Sequence, residues 1–203
     1  MIHNSHKLSS RFRGLMPVVI DVETSGVNPA TDALLEIAAV TLALNEQGLI
    51  EIDKTFHHHV EPFKDANMDP EALAITGIDP GYPLRFAISE KQALHNIFSK
   101  VRILLKENGC QRAVLVGHNA WFDLAFIQAA VKRCRLENNP FHSFTTFDTA
   151  TLAAVALGET VLAKAIRAVK IPFDVNLAHS AIYDAEKTAE LFCYLVNKIK
   201  KPA

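Results

Sequence analysis

The sequence has 203 residues, 49% hydrophobic and 21% charged, which suits one globular domain with a sizeable core and at most small additions. A formal net charge of −1 excludes a global basic field for polyanions, so any nucleic-acid binding must come from local clusters. Cys110, Cys134 and Cys193 show no CxxC spacing, no apolar run approaches ~18 residues, and no charged-then-apolar leader opens the chain; the expectation is a soluble cytoplasmic protein with no zinc site, disulfide framework or membrane segment.

Residues 1–16 (MIHNSHKLSSRFRGLM) are polar and basic and read as a loose arm ahead of a domain spanning 17–203. Strand signals follow at 18–23, 34–44 and 49–60, with the turn-like NEQG at 45–48 suggesting an antiparallel hairpin between the last two. Pro62, Pro70, Pro80 and Pro83 mark 61–88 as loop around one short helix. From Ser89 to Asn108 apolar residues recur at helical spacing, with Ser89 as cap and Gly109 as stop. AVLVG at 113–117 reads as a buried strand, and a helix is expected from Trp121 to Arg135. Then come a loop over 136–144, a short strand TTFDT, Ala-rich helices across 148–169, and a final helix near 181–200. Strands first, then alternating helix and strand, give an α/β fold with a central mixed β-sheet flanked by α-helices.

The first strand, VVIDVE, poses a physical problem. Side chains alternate across a strand, so Asp21 and Glu23 share a face. Burying two repelling carboxylates costs several kcal/mol each unless a positive charge offsets it. A hard cation such as Mg²⁺ takes oxygen ligands, and two such ions can clamp the oxygens of a phosphodiester under cleavage. Further acids are available in Asp123 of GHNAWFD and Asp184 of AHSAIYDAEKTAELF, with His179 shortly before the latter. Asp123 and Asp184 also sit in first turns of helices, where the dipole favours acids for purely structural reasons. The strand pair is harder to explain that way.

DxE on the first strand, HNxxFD further on and HxxxxD near the C-terminus resemble the DEDDh 3′→5′ exonuclease family; here they read DVETSG, GHNAWFD and HSAIYD, and the likeness spans roughly 17–200. It implies the ribonuclease H-like fold. It also implies that Asp21 bridges two Mg²⁺ ions (Mn²⁺ being the alternative), that Glu23, Asp123 and Asp184 complete the cage, and that His179, close to the metals, is the general base. The implied products are a nucleoside 5′-monophosphate and a chain one unit shorter. Asp148 of FDT ranks behind these as a near-site residue.

FRG, HVEPF, PEALA, GIDP, NPFH, TFDTA and AHSA are similar to the RNA-trimming branch of that family. That branch acts on single-stranded 3′ ends of structured RNAs, including tRNA ends and ribosomal RNA precursors, with DNA 3′ overhangs as further substrates. The resemblance assigns Phe122 and Phe144 to wedging terminal bases and Glu71 to hydrogen-bonding one, although both phenylalanines also read as core. Val27 and Ile75 stand where further stacking phenylalanines are expected. Arg11, Arg13, Lys106 and Arg112 match an RNA-binding patch, which in the family feeds RNA into the partner subunit of a homodimer; Glu137 and Asn138 thin it. Other basic groups, Lys7, Lys100, Arg102, Lys132, Arg133 and Arg135, are local candidates for polyanion contact but read more readily as solvated faces. HHH at 57–59 cannot converge as three on a strand and reads as structural or exposed. The rivals are a DNA-proofreading type of exonuclease and a non-catalytic nucleic-acid-binding module, the latter disfavoured because binding alone does not need like charges crowded on one strand.

Overall fold

A computed structural model describes residues 8–198. Its frame is a six-stranded sheet built on β1 (Leu15–Thr24), β2 (Leu34–Leu44), β3 (Ile50–Glu61), β4 (Ile88–Ser89), β5 (Arg112–Gly117) and β6 (Phe141–Asp148), in spatial order β4-β3-β2-β1-β5-β6. β1, β2 and β3 form an antiparallel meander, whereas β5 runs parallel to both β1 and β6. The sheet is therefore mixed, as the order of elements implied.

The helices are α1 (Leu8–Arg11), α2 (Pro70–Thr76), α3 (Glu90–Glu107), α4 (Trp121–Arg133), α5 (Thr149–Leu157), α6 (Leu162–Ala168) and α7 (Ala181–Lys198). Ser89 caps α3 by accepting the Gln92 N–H at 3.3 Å, as its position in the sequence suggested. Strand alternation divides the core in two. Val18, Ile20 and Val22 of β1 pack with Leu94, Ile97 and Phe98 of α3 and Phe126 of α4. On the opposite face Val19 packs with Ala38, Val40, Ala185 and Phe192 under α7. No single helix among the described residues is long and apolar enough to cross a membrane; the bent apolar pair α5–α6 packs Ala153, Ala165 and Ile166 against Leu191 and Leu195 of α7.

Several expectations need correction. The described part of the N-terminal segment is not a loose arm: α1 buries Leu8, Arg11 Nη2 donates to the Val196 carbonyl at 3.0 Å, and Phe12 packs on Phe147 and Phe192. Lys7 and the expected end of the last helix at 199–200 lie outside the described residues. β6 begins at Phe141 rather than 145, because Phe141 pairs with Ala113 across a register shift and fills the core. Arg133, read as a possible polyanion contact, is occupied: it forms a two-pronged ion pair with buried Glu90 at 2.6 and 3.1 Å and lies 4.0 Å from the Phe63 ring centroid.

Candidate active site

β5 ends at Gly117 and its pairing with β1 stops at Val19, so β1 runs on past its parallel neighbour. The freed amide of Val22 is taken by Asp123, whose Oδ1 accepts it at 3.1 Å. Asp123 lies in the first turn of α4 and is buried. It fits because residue 117 is glycine: a Cβ there would stand 2.9 Å from Asp123 Oδ2 and 3.0 Å from the Ala120 backbone. One oxygen of Asp123 is thus spent on architecture.

Asp184 is held in a similar way. It lies in the first turn of α7, and its Oδ2 accepts the backbone N–H of His179 at 2.9 Å. His179 takes a left-handed φ of 63°, a conformation that costs a non-glycine residue free energy and recurs at functional sites. The sequence thus folds Asp184 back over the turn that presents the exposed His179 imidazole.

Asp21 and Glu23 project from β1 on the Val19 face, toward α7. Ligand oxygens of Asp21, Glu23 and Asp184 all lie within 4.8 Å of one another. Among the described residues, none of these three acids nor Asp123 has an ion pair with lysine or arginine. The electrostatic result is severe. Burial, then repulsion from Asp123, Glu23, Asp184 and Glu36, pushes the Asp21 carboxyl well above its usual range. Burial, then Asp184, Glu36 and Asp123, pushes Glu23 up to about 8. Asp123 is pushed up to about 8, by burial first and by Asp148 among its neighbours. Burial also raises Asp184, against a partial offset from the His179 N–H and the nearby imidazoles. Four crowded, mutually repelling hard-oxygen donors suit a divalent cation, which would hold all four in their ionised form.

The surroundings are fixed by polar contacts that the sequence reading did not single out. Asp32, buried in the loop after β1, accepts from Asn28 N, Thr31 Oγ1 and Asn67 Nδ2, and a Cβ at Gly26 would overlap its Oδ2. Asp69 N–H donates to the Ser25 carbonyl at 2.8 Å, tying α2 to the same loop. That clamp carries Val27, Glu71 and Ile75, all exposed. Phe144 is 80% exposed beside His142, whereas Phe122 is half-buried between Trp121 and Phe126. Asp148 is a joint: its Oδ1 caps α5 through Ala150 N and also accepts the Asn119 N–H. His118 bridges Thr149 Oγ1 and the Thr160 carbonyl, anchoring the turn before α4.

The basic group does not meet the acids. Arg112 opens β5 opposite Leu15, and Arg13 lies two residues before Leu15, at the other end of the sheet from Asp21. Six residues of strand put these ends about 20 Å apart. Arg11 and Arg112 each spend one guanidinium nitrogen on a carbonyl, of Val196 and Asn139 respectively; Arg13 and Lys106 are exposed.

The histidine run alternates as the strand demands, but with an unexpected result: His57 and His59 both turn toward Glu36 of β2, while His58 faces the other way beside His95. Glu36 stands opposite Glu23 across β1 and β2. Burial pushes its carboxyl up, but the hydrogen bond from His57 and the charges of His59 and His57 outweigh this and leave it below its ordinary value. Nothing in an apolar run reading LLEIAAV distinguishes this glutamate from a lone tolerated acid. Only its two cross-strand histidines do.

Comparison with known proteins agrees with this geometry. The RNase_T exonuclease family model matches residues 18–192. Ribonuclease T of Yersinia enterocolitica is 61% identical over 194 residues, covering 96% of this chain and 90% of the relative. Ribonuclease T of Shewanella oneidensis is 57% identical over 199 residues, covering 98% and 90%. Among solved structures, the nuclease domain of 3′hExo, a DEDDh family member bound to rAMP, superposes with a TM-score of 0.69 at 18% identity, covering 92% of this chain and 96% of that one. Escherichia coli exonuclease I in complex with a dT13 oligonucleotide superposes at 0.67 and 19% identity, covering 89% and 40%. The shared fold with these two is the ribonuclease H-like one.

Proposed function

From the premise that the chain belongs to the RNase_T family of exonucleases and is a 3′→5′ exoribonuclease, we propose that it trims single-stranded 3′ ends of structured RNAs, tRNA and ribosomal RNA precursors among them, using Mg²⁺ held by Asp21, Glu23, Asp123 and Asp184. The observation that carries this reading is the convergence of ligand oxygens of Asp21, Glu23 and Asp184 within 4.8 Å, with Asp123 behind them and no lysine or arginine paired to any of the four among the described residues.

The cation supplies charge neutralisation and Lewis-acid polarisation of the scissile phosphate. The chain's own groups do the rest. The Val22 and His179 amides each hold one oxygen of Asp123 and Asp184, orienting the second oxygen of each acid for the cation. His179, exposed on its strained turn, accepts a proton from the attacking water as the new P–O bond forms and the bond to the 3′ oxygen breaks. The departing 3′ oxygen takes a proton from solvent, so that a nucleoside 5′-monophosphate and a chain ending in a 3′-hydroxyl are released. Phe144 stacks a base, Phe122 lies next to Asp123, and Glu71, Val27 and Ile75, carried on the segments that the Asp32 clamp joins, contact the terminal nucleotide. Val27 and Ile75 offer contact area without π-stacking, so the grip on the terminal base is less selective than with aromatic residues there.

The separation of the basic residues from the acids supports a homodimer in which one subunit's Arg13, Lys106 and Arg112 guide RNA toward the site of the other. The decisive assay follows a 5′-labelled single-stranded RNA with wild type and Asp21→Ala, with Mg²⁺ or EDTA. Stepwise shortening from the 3′ end, lost in EDTA and in the variant, is expected. Intact RNA in every lane with binding retained would point instead to a binding module.

A further inference from the structure

β2 and β3 carry a second cluster of donors on the face that bears the acids. Glu36 pairs across the strands with His59, and its neighbour on that face, Ala38, pairs with His57, so the two imidazoles flank one carboxylate. His57 Nε2 lies 3.4 Å from Glu36 Oε2, and His59 Nδ1 lies 2.8 Å from Oε1. One donor atom from each residue falls within 4.8 Å of the others, and the two rings stand edge to face with centroids 4.7 Å apart.

His59 Nδ1 is the informative atom. It is buried and close to a carboxylate oxygen, yet it makes no hydrogen bond. A buried polar nitrogen without a partner is costly and calls for an explanation. Two metal-ligand atoms in contact without a hydrogen bond between them are free to serve a third body together. Bonds of 2.0–2.1 Å to a tetrahedral ion place its donors about 3.3 Å apart, close to the His57–Glu36 separation; the His59–Glu36 pair needs only to open slightly.

We propose that Glu36, His57 and His59 form a transition-metal site of zinc type, distinct from the acidic cage. Two imidazole nitrogens and one carboxylate oxygen suit Zn²⁺ or Co²⁺ and are a poor set for Mg²⁺, which the all-oxygen cage favours. The fourth coordination position opens on a cleft of about 330 Å³ lined by Glu36, His59, Tyr82, Arg85, His179 and Ser180 among others, which leaves room for water. Glu36 Oε2 also accepts the Ala181 N–H at 3.4 Å, so an ion here braces the β2–β3 hairpin against the first turn of α7, between His179 and Asp184.

The test uses the full-length protein stripped with EDTA and titrated with Co²⁺ and Zn²⁺ in the presence of excess Mg²⁺. The expected result is one tightly held equivalent per chain, with the intense visible absorption of tetrahedral Co²⁺ and a Zn²⁺-dependent rise in Tm. Both should persist in Asp184→Asn and weaken at least tenfold in His57→Gln and His59→Gln, each checked for native circular dichroism. Equal Zn²⁺ affinity in wild type and the histidine variants would overturn the assignment. So would displacement by Mg²⁺, or loss in Asp184→Asn alone, either of which would place the ion in the acidic cage.

Discussion

On the face of β1 turned toward α3 and α4, Val18, Ile20 and Val22 are buried among Leu94, Ile97, Phe98 and Phe126. On the face turned toward α7, Val19 is followed by Asp21 and Glu23. One backbone serves both, and the alternation of the strand keeps their chemistries apart. The first face has every incentive to close: each side chain gains about 1.5–3 kcal/mol by leaving water. The second face is arranged against its own stability, since its carboxylates repel one another where solvent cannot screen them. Rigidity supplied by the apolar face is what allows strain to be maintained on the acidic one.

Substitutions that exchange the two characters should separate activity from stability. Asp21→Asn is expected to lower RNA cleavage by roughly a thousandfold, the loss of several kcal/mol of transition-state stabilisation. In EDTA the same variant should melt at or above the wild-type temperature, because a repelling charge is gone. A variant that lost activity only by unfolding would break the comparison. One position earlier the signs reverse: Ile20→Ala should cost about 2–5 kcal/mol of stability, read by denaturant unfolding, while cleavage by the folded fraction is preserved.

pH sharpens the contrast. Glu23 and Asp123 are each pushed up from 4.5 and 3.8 to about 8, so the folded state holds protons that the unfolded chain releases. Their contribution to stability is fully present below about pH 4 and is lost as pH rises through 8. EDTA-treated protein should therefore fall steadily in Tm between pH 5 and 9. Mg²⁺ should flatten that slope by favouring the ionised carboxylates, and equal slopes with and without the ion would contradict the cation-binding role. The smallest effect belongs to the two exposed aliphatic residues proposed to contact the terminal base. Val27→Phe with Ile75→Phe should shift the relative cleavage rates of RNAs ending in each base by about tenfold or less, an effect of roughly 1 kcal/mol. Unchanged ratios would remove both positions from base recognition.

Much of this was legible in the sequence, for physical reasons that also explain what was missed. The placing of two acids on one face of VVIDVE is visible because strand periodicity is local, and the acids near the starts of α4 and α7 could be placed from helix boundaries. Leu8 and Phe12 were hidden in a polar stretch because both pack against residues distant in sequence, Leu8 in the core that holds Val101 and Leu105, and Phe12 on Phe147 and Phe192. Phe141 joined β6 because of its partner on β5, not because of its neighbours. Glu36 was invisible for the same reason, since its partners at 57 and 59 are defined by the register of a hairpin. Asp148, read as a near-site residue, also caps α5 and holds the turn before α4, and His118 anchors that turn; neither task is announced by a local pattern.

The amide of Val22, released where β5 stops and captured by Asp123, has a practical consequence. It is a backbone proton whose acceptor is a carboxylate of the acidic cluster. Its nuclear magnetic resonance shift should move when that carboxylate gains a proton or a cation. Labelling valine nitrogen alone would turn this one strand position into a gauge of site occupancy, readable without substrate and without altering a side chain.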